Sequence, residues 1–593
     1  PIFKPLKIIT SIEPKTYNLK IPITIKHPEL WYPAGMGKQN LYTFFTDLIC
    51  DTIVDEVTVT TGIRELEVVN KKDKWGTSFY FKVNGMNVFA KGANWVTPDV
   101  FPSSMSHERY DKFFDQMTEA NFNTIRVWGG GVYEDEYFYQ KADEKGILVW
   151  QDFMFSCTMY PGDSVFTRRV KDEAIYNVKR LRSHPALALW CGNNEIDVGW
   201  KNWGWQKSYN YSAMQSSKLD DSYCSVFKDI LPATVNHLDS GRFYMHSTPI
   251  SNWGKKEEFS VGDNHYWGVW HGEKDFESYK TFVPRFMSEF GFQSYPSVNA
   301  QEHMTVGDAS DTAMFYFQKA PKGDERIDKY ISMYYRQPKT SFARTYLSQI
   351  LQADAMRIAI EAHRRAVPFC MGSLFWQFND CWPAVSWSSL DYYGGYKASY
   401  YAVKRAFKQQ VVSVNLENDS VKITVLSDAA EAHKANLNLK LSDFYGRILY
   451  KEKISVLVPA ANEPCVTYYS NSIKALLKKN HPDSVFLKVN FDKRSEESAA
   501  AICYFSPMKQ IVFPEVTVHY EINKSDGAYV VELKTDTLAK SVYMYIDGDA
   551  TSNFSENFFD MPPGSERKIR FNSEFDLKEV ARRFKLTTLA DID

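Results

Sequence analysis

The 593-residue chain is too long for one hydrophobic core and requires roughly three to five domains. Its net charge of −2 gives no electrostatic ground for nucleic acid or an anionic membrane as a partner, and no apolar run approaches the ~20 residues of a membrane span. Its eight cysteines (50, 157, 191, 224, 370, 381, 465 and 503) form neither CxxC pairs nor Cys/His clusters at zinc spacing, so most read as buried free thiols and no metal site is expected.

Residues 1 to about 76 alternate apolar and polar positions in short runs, as in Tyr17–Ile25, Leu41–Phe45 and Val57–Thr60, with Pro and Gly between them. That texture predicts a small antiparallel sandwich, incomplete at its first strand. From about 77 to 410 short apolar strands alternate with longer helical patterns. The candidate strands are Val88–Lys91, Thr124–Trp128, Ile147–Trp150, Ala186–Trp190, Phe243–Met245, Ser260–Gly262, Pro284–Met287 and Ser373–Trp376. Tyr110, Phe113, Phe114 and Met117 lie on one face of a helix with Ser106 as its N-cap, and Val170, Ala174, Val178 and Leu181 on one face of another. Eight such units predict a (β/α)8 barrel. Alternating strands return in two further sandwiches, 411–506 and 507–593. The second opens with a hairpin turning at Ser525-Asp526-Gly527.

Aromatics are abundant, with 15 Trp, 36 Tyr and 40 Phe. Many stand beside Asn, Asp or Gly, as in Asn94-Trp95, Trp203-Gly204-Trp205 and His265-Tyr266-Trp267. Sugars offer flat C–H faces and hydroxyl rims, so this mixture suits carbohydrate, although a large β-rich protein uses aromatics for packing as well.

Catalytic groups of a (β/α)8 barrel sit where strands end at its C-terminal mouth. The fourth candidate strand runs out into Trp190-Cys191-Gly192-Asn193-Asn194-Glu195, and the seventh into Ser288-Glu289-Phe290-Gly291. A lone Glu at a strand end reads as a solvated loop residue. Two on one rim supply the pair that glycoside hydrolysis uses, an acid for the leaving oxygen and a nucleophile for the anomeric carbon. Glu195 has no Lys or Arg before Lys201, a setting that raises a proton donor's pKa, whereas Arg285 is expected to hold Glu289 ionised.

These segments resemble glycoside hydrolase family 2, whose barrels carry Asn-Glu at the end of strand 4. Trp376–Pro383 with Ser386–Tyr392, Arg126–Gly131, and Gly92–Trp95 with Asp99 resemble its β-mannosidase branch. The resemblance implies a retaining exo-glycosidase that removes terminal non-reducing β-D-mannose from oligosaccharides or glycoconjugates. Exo-β-glucosaminidase and endo-β-mannosidase are the rivals within the family, and a non-catalytic carbohydrate-binding protein the rival outside it. It further implies Glu195 as acid/base, Glu289 as nucleophile and Asn194 at the sugar 2-OH. Trp128 would line the terminal subsite, Asn94, Trp95, Asp99 and Tyr266 the rim, and Trp376 and Trp382 the far wall. Asn193 and Asp197 read as structural, and His265 as a neighbour of the site or a plain strand residue. No cofactor is implied. The family's N-terminal jelly roll is not part of this sequence, which opens on Pro1 and reads as a processed or truncated product. The compartment stays open, with an exported setting favoured (periplasmic, secreted or lysosomal).

Overall fold

The computed structural model describes residues 21–50, 52–304, 311–492 and 498–592. Of the expected first sandwich, the described residues form an antiparallel ribbon, Tyr42–Cys50 against Thr52–Thr61, with Phe45, Ile53 and Val57 exposed, while Leu66–Val69 pairs instead with Tyr80–Val83 and Lys72–Asp73 with Gly76–Thr77. The run from Tyr17 begins outside the described residues, and Ile21–Ile25 carry no strand.

The centre of the molecule is an eight-stranded parallel sheet curled into a barrel. Its strands are β1 (Ala90–Trp95), β2 (Thr124–Val127), β3 (Leu148–Asp152), β4 (Leu187–Cys191), β5 (Phe243–Met245), β6 (Asp263–His265), β7 (Phe286–Glu289) and β8 (Gly372–Phe375). They pair in the order β5-β4-β3-β2-β1-β8-β7-β6, and a bridge between Ser251, just after β5, and Asn264 joins the two ends. Two expected strands are displaced. Met86–Val88 pairs with Tyr80–Val83 in a small sheet, so β1 starts at Ala90. Ser260 ends a 3-10 turn, so β6 starts at Asp263.

The small sheet closes one end of the barrel. Phe79, beside it, packs on inward Trp150 at 5.5 Å and on Phe286 at 5.3 Å between ring centres. With that end filled by aromatics, the opposite end, where the strands finish, is the open one. Outside the sheet, the helix His107–Glu119 buries Tyr110, Phe113, Phe114 and Met117, and the Ser106 side chain caps it by accepting from the Arg109 N–H. Ser164–Leu181 buries Val170, Ala174, Val178 and Leu181.

Two β-sandwiches follow, each with its own aliphatic core. The first packs the sheets of Gln410–Glu417 with Ser420–Ser427 and of His433–Asp443 with Ile448–Val458. The second begins with Val518–Ser525 and Ala528–Thr535, whose turn residues Asp526 and Gly527 both have positive φ (50° and 78°). That is the two-residue hairpin geometry whose twist matches the strands. The seven described cysteines are free, but only Cys191 and Cys370 are buried as expected; Cys157 is exposed and the other four are half-buried.

Candidate active site

Side chains alternate across a strand, so each barrel strand sends every second residue inward. In β1, β2, β3 and β7 the inward set includes Asn94, Arg126, Asp152 and Glu289. They meet in one buried network. The fully buried Arg126 donates from Nη2 to Asp152 at 2.8 Å and to the Asn194 side-chain oxygen at 2.7 Å. From Nη1 it donates to Asn94 Oδ1 at 2.9 Å and to Glu289 Oε1 at 2.6 Å. Paired with two carboxylates, its guanidinium is held well above its ordinary pKa despite the burial.

Glu195 leaves β4 through a tight turn. It caps the helix Ile196–Asn202 with φ 61° and ψ 7°, a left-handed conformation unusual for a residue with a long side chain. Asn193 holds this turn: its Oδ1 accepts from Ile196 N–H at 3.1 Å and from Ser247 Oγ at 2.7 Å, and its Nδ2 donates to the His246 carbonyl at 2.7 Å. The Glu195 N–H donates to the Thr248 carbonyl at 2.7 Å. The carboxyl that results points across the mouth toward Glu289.

Between the two carboxylates stands His265, the last residue of β6. Its Nδ1 is 2.8 Å from Glu195 Oε1 and 3.4 Å from Glu289 Oε2, and its Nε2 is 3.2 Å from Thr248 Oγ1. Thr248 Oγ1 and Ser288 Oγ both donate to Asp263, at 2.5 and 2.6 Å. One oxygen of each glutamate and His265 Nδ1 lie within 4.8 Å of one another. The Glu195 side chain is 14% exposed and the Glu289 side chain 4%. Burial pushes Glu195 up to about 7, against the opposing pull of Arg126. Burial also raises Glu289 above the ordinary carboxylate value, and His265 and Arg126 oppose that rise. Burial lowers His265 to about 4, so near neutrality its imidazole is uncharged. The Cys157 Sγ lies 3.6 Å from Glu195 Oε2.

Of the other expected site residues, Asn194 joins this network. Its amide oxygen is taken by Arg126, which turns Nδ2 toward Ser156 Oγ and Cys157 Sγ at 3.4 and 3.3 Å. Trp128 and Trp376 meet edge-to-face with ring centres 5.0 Å apart, and both are partly exposed. The Trp128 ring lies over Gly130, where a Cβ would come within 2.0 Å of it, so the glycine is a steric requirement of that pose. Trp382 is 37% exposed and leans on Phe317.

Five expectations are corrected. Asn94 is fully buried, and its Nδ2 donates to the Ser288 carbonyl at 2.9 Å, so it supports Arg126 from below and does not reach the rim. Trp95 follows an inward residue and therefore faces outward, where it donates to Glu134 at 2.7 Å among Phe113 and Phe138. Tyr266 follows inward His265 and packs outside the barrel on Phe259, Tyr279 and Phe282. Asp99 spends its carboxylate on Arg109 at 3.0 Å, Tyr392 at 2.6 Å and the Phe101 N–H, tying rim loops together. Arg285 is likewise not the partner of Glu289. Four positions of extended strand span about 13 Å, which puts Arg285 at the closed end, paired with Asp73 at 2.5 Å.

Three family models match the chain: glycosyl hydrolases family 2 over residues 6–64, a mannosidase Ig/CBM-like domain over 419–510 and an Ig-fold domain over 513–592. The β-mannosidase B of Aspergillus fumigatus is 34% identical over 417 residues, 68% of this chain and 49% of that protein. The chain thus spans about half the length of the curated relatives it matches. The crystal structure of a β-D-mannosidase from Dictyoglomus thermophilum superposes with a TM-score of 0.86 at 35% identity, covering 96% of this chain and 69% of that one. An exo-chitosanase from Amycolatopsis orientalis shares the fold, with a TM-score of 0.68 at 16% identity over 95% of this chain and 70% of that one.

Proposed function

Because the chain belongs to glycosyl hydrolase family 2, we propose that it is a retaining exo-glycosidase that removes terminal β-D-mannose from β-mannosides by double displacement. The observation that carries the mechanism is the approach of Glu195 and Glu289 to within 4.8 Å. Carboxyl pairs about 5 Å apart attack the sugar directly, whereas inverting pairs stand about 6.5–9.5 Å apart to admit a water.

Glu289 acts as the nucleophile. Arg126, at 2.6 Å, favours its ionised form and fixes one of its oxygens. Attack on the anomeric carbon forms a glycosyl ester while Glu195 gives its proton to the leaving oxygen. Glu195 then takes a proton from water, which attacks the ester and releases the sugar with its configuration retained. Burial that lifts Glu195 to about 7 keeps it protonated for the first half. Trp128 and Trp376 wall the sugar.

The two carboxyls also set the pH dependence. Activity needs Glu289 ionised and Glu195 protonated. kcat/KM therefore falls as pH drops through the raised pKa of Glu289, and again as pH climbs through about 7. A kcat/KM profile on an unactivated mannoside checks this. A basic limb that survives unchanged in Glu195→Gln, measured on an activated aryl glycoside, would assign that limb to another group.

Specificity for mannose has to come from groups around C2, where its hydroxyl is axial. Asn194 is the candidate. Arg126 fixes its oxygen, so the amide presents N–H donors, now in long contacts only. An equatorial epimer would leave that donor unpaired, a loss of ~1–3 kcal/mol or roughly fivefold to over a hundredfold. Aryl β-mannoside should exceed aryl β-glucoside and β-galactoside in kcat/KM by that order, and Asn194→Ala should narrow the gap while lowering kcat. A preference for aryl β-glucosaminide would move the chain to the glucosaminidase branch with both glutamates in the same roles.

A further inference from the structure

His265 stands where the two glutamates meet, and what it does there depends on which ring nitrogen carries the proton. Its side chain is 1% exposed and its imidazole uncharged near neutrality, so one nitrogen donates and the other accepts. The choice is made at the far side of the ring. Asp263, the first residue of β6, accepts from Thr248 Oγ1 at 2.5 Å, from Ser288 Oγ at 2.6 Å and from the Ile250 N–H at 2.8 Å. Thr248 has a single hydroxyl proton, and Asp263 takes it. The Thr248 oxygen is left as an acceptor, and the atom that meets it at 3.2 Å is His265 Nε2. Nε2 therefore carries the ring proton, and Nδ1 bears a lone pair.

That lone pair decides where the acid keeps its proton. Nδ1 lies 2.8 Å from Glu195 Oε1, a hydrogen-bond distance that needs a proton between the two atoms. The proton has to belong to Glu195, on Oε1. The other oxygen, Oε2, meets the weakly donating Cys157 thiol at 3.6 Å. Nδ1 is 3.4 Å from Glu289 Oε2 and has no proton to give it, whereas Arg126 donates to Glu289 Oε1 at 2.6 Å. The charged and titratable groups around Glu195 are thus Arg126 from β2, Cys157 from the loop after β3, His265 from β6 with Asp263 behind it, and Glu289 from β7.

We propose that His265 is a positioning residue that keeps the acid proton on Glu195 Oε1, in a tautomer fixed by Thr248 and Asp263. An acceptor at Oε1 favours the protonated carboxyl, as a proton donor requires. When the proton passes to the leaving oxygen, the Oε1–H bond breaks and its electron pair stays on the carboxylate, whose charge then faces the Nδ1 lone pair. That arrangement favours recovery of a proton, which the attacking water supplies in the second half. The catalytic consequence rests on the glycosidase reading; the tautomer and the place of the proton do not.

NMR of the chain with isotope-labelled histidine reads the tautomer without any substrate, the His265 signals being identified by their loss in His265→Gln. The neutral Nε2–H form is expected. In Thr248→Val that N–H loses its acceptor, so the Nδ1–H form, which can donate to a carboxylate, should gain population. The basic limb of kcat/KM should then move down by roughly half to one pH unit, because a donor at Oε1 stabilises ionised Glu195. Thr248→Ser keeps the hydroxyl and should restore both tautomer and limb. A fold merely disturbed at this position would lower the rate without moving the limb. An Nδ1–H tautomer in the wild type would overturn the proposal, and so would a limb that stays in place in Thr248→Val. The expected tautomer in a chain that hydrolyses no mannoside would sink the glycosidase reading alone.

Discussion

Glu289→Gln is expected to abolish hydrolysis of every glycoside, activated or not, with losses of about four orders of magnitude or more, as when a covalent nucleophile is removed. The amide cannot form the glycosyl ester, and a better leaving group does not help, because the missing bond is to the sugar. The substitution is nearly isosteric. Arg126 would still meet an acceptor oxygen at the position where it now donates to Oε1 at 2.6 Å, so sugar binding should persist with turnover gone. Calorimetric titration of the variant with a mannoside, beside initial rates, separates the two. Residual hydrolysis within tenfold of the wild type would mean that another group attacks and that the pairing of Glu195 with Glu289 has been misread.

Removing the other carboxyl should produce a different signature. General acid catalysis is worth about 10²–10⁴ where the leaving group needs a proton. Glu195→Ala should therefore lose most of that range on an alkyl or oligosaccharide mannoside and far less on an aryl mannoside with an acidic phenol. Its ester should accumulate, because the base for the second step has gone as well. Azide needs no base. It fits the space left by the side chain, and should restore turnover while yielding a β-glycosyl azide. Product configuration is decisive: an α-glycosyl azide would indicate single inversion. His265 introduces a complication that can be measured. With Glu195 removed, its Nδ1 is left facing Glu289 at 3.4 Å, near enough for a charge interaction. Its pKa, now about 4, should shift, and titration of the ring by NMR would report it.

The barrel was legible because its strands are short aliphatic or aromatic runs separated by amphipathic helices, a pattern set by burial alone. The two glutamates were legible because the mouth is where such strands end. What failed was the assignment of neighbours. Asn94 and Trp95 were treated as one feature since they adjoin in sequence, whereas strand alternation sends one into the barrel and the other out against Phe113. His265 and Tyr266 split in the same way. Arg126 presented a harder problem. Its partners lie 26, 32, 68 and 163 positions away, and only the closed barrel makes them neighbours. The strand starts at Ala90 and Asp263 were missed for a local reason, since apolar alternation continues through the preceding hairpin and turn without a break.

The left-handed backbone at Glu195 has a consequence for how such a chain would evolve. A residue with a long side chain is strained at φ 61°, and here its carboxyl is also withdrawn from water. Glycine or asparagine would occupy the same turn with less strain and no buried acid. On the proposed function, turnover is the use that would justify glutamate there. A lineage released from that use would lose this residue readily, because its loss leaves the barrel intact and the molecule sturdier. The descendant would keep Trp128, Trp376 and Asn194 around an inert mouth. It would be a lectin-like protein whose ancestry as a catalyst survives only in Glu289 and the arginine beneath it.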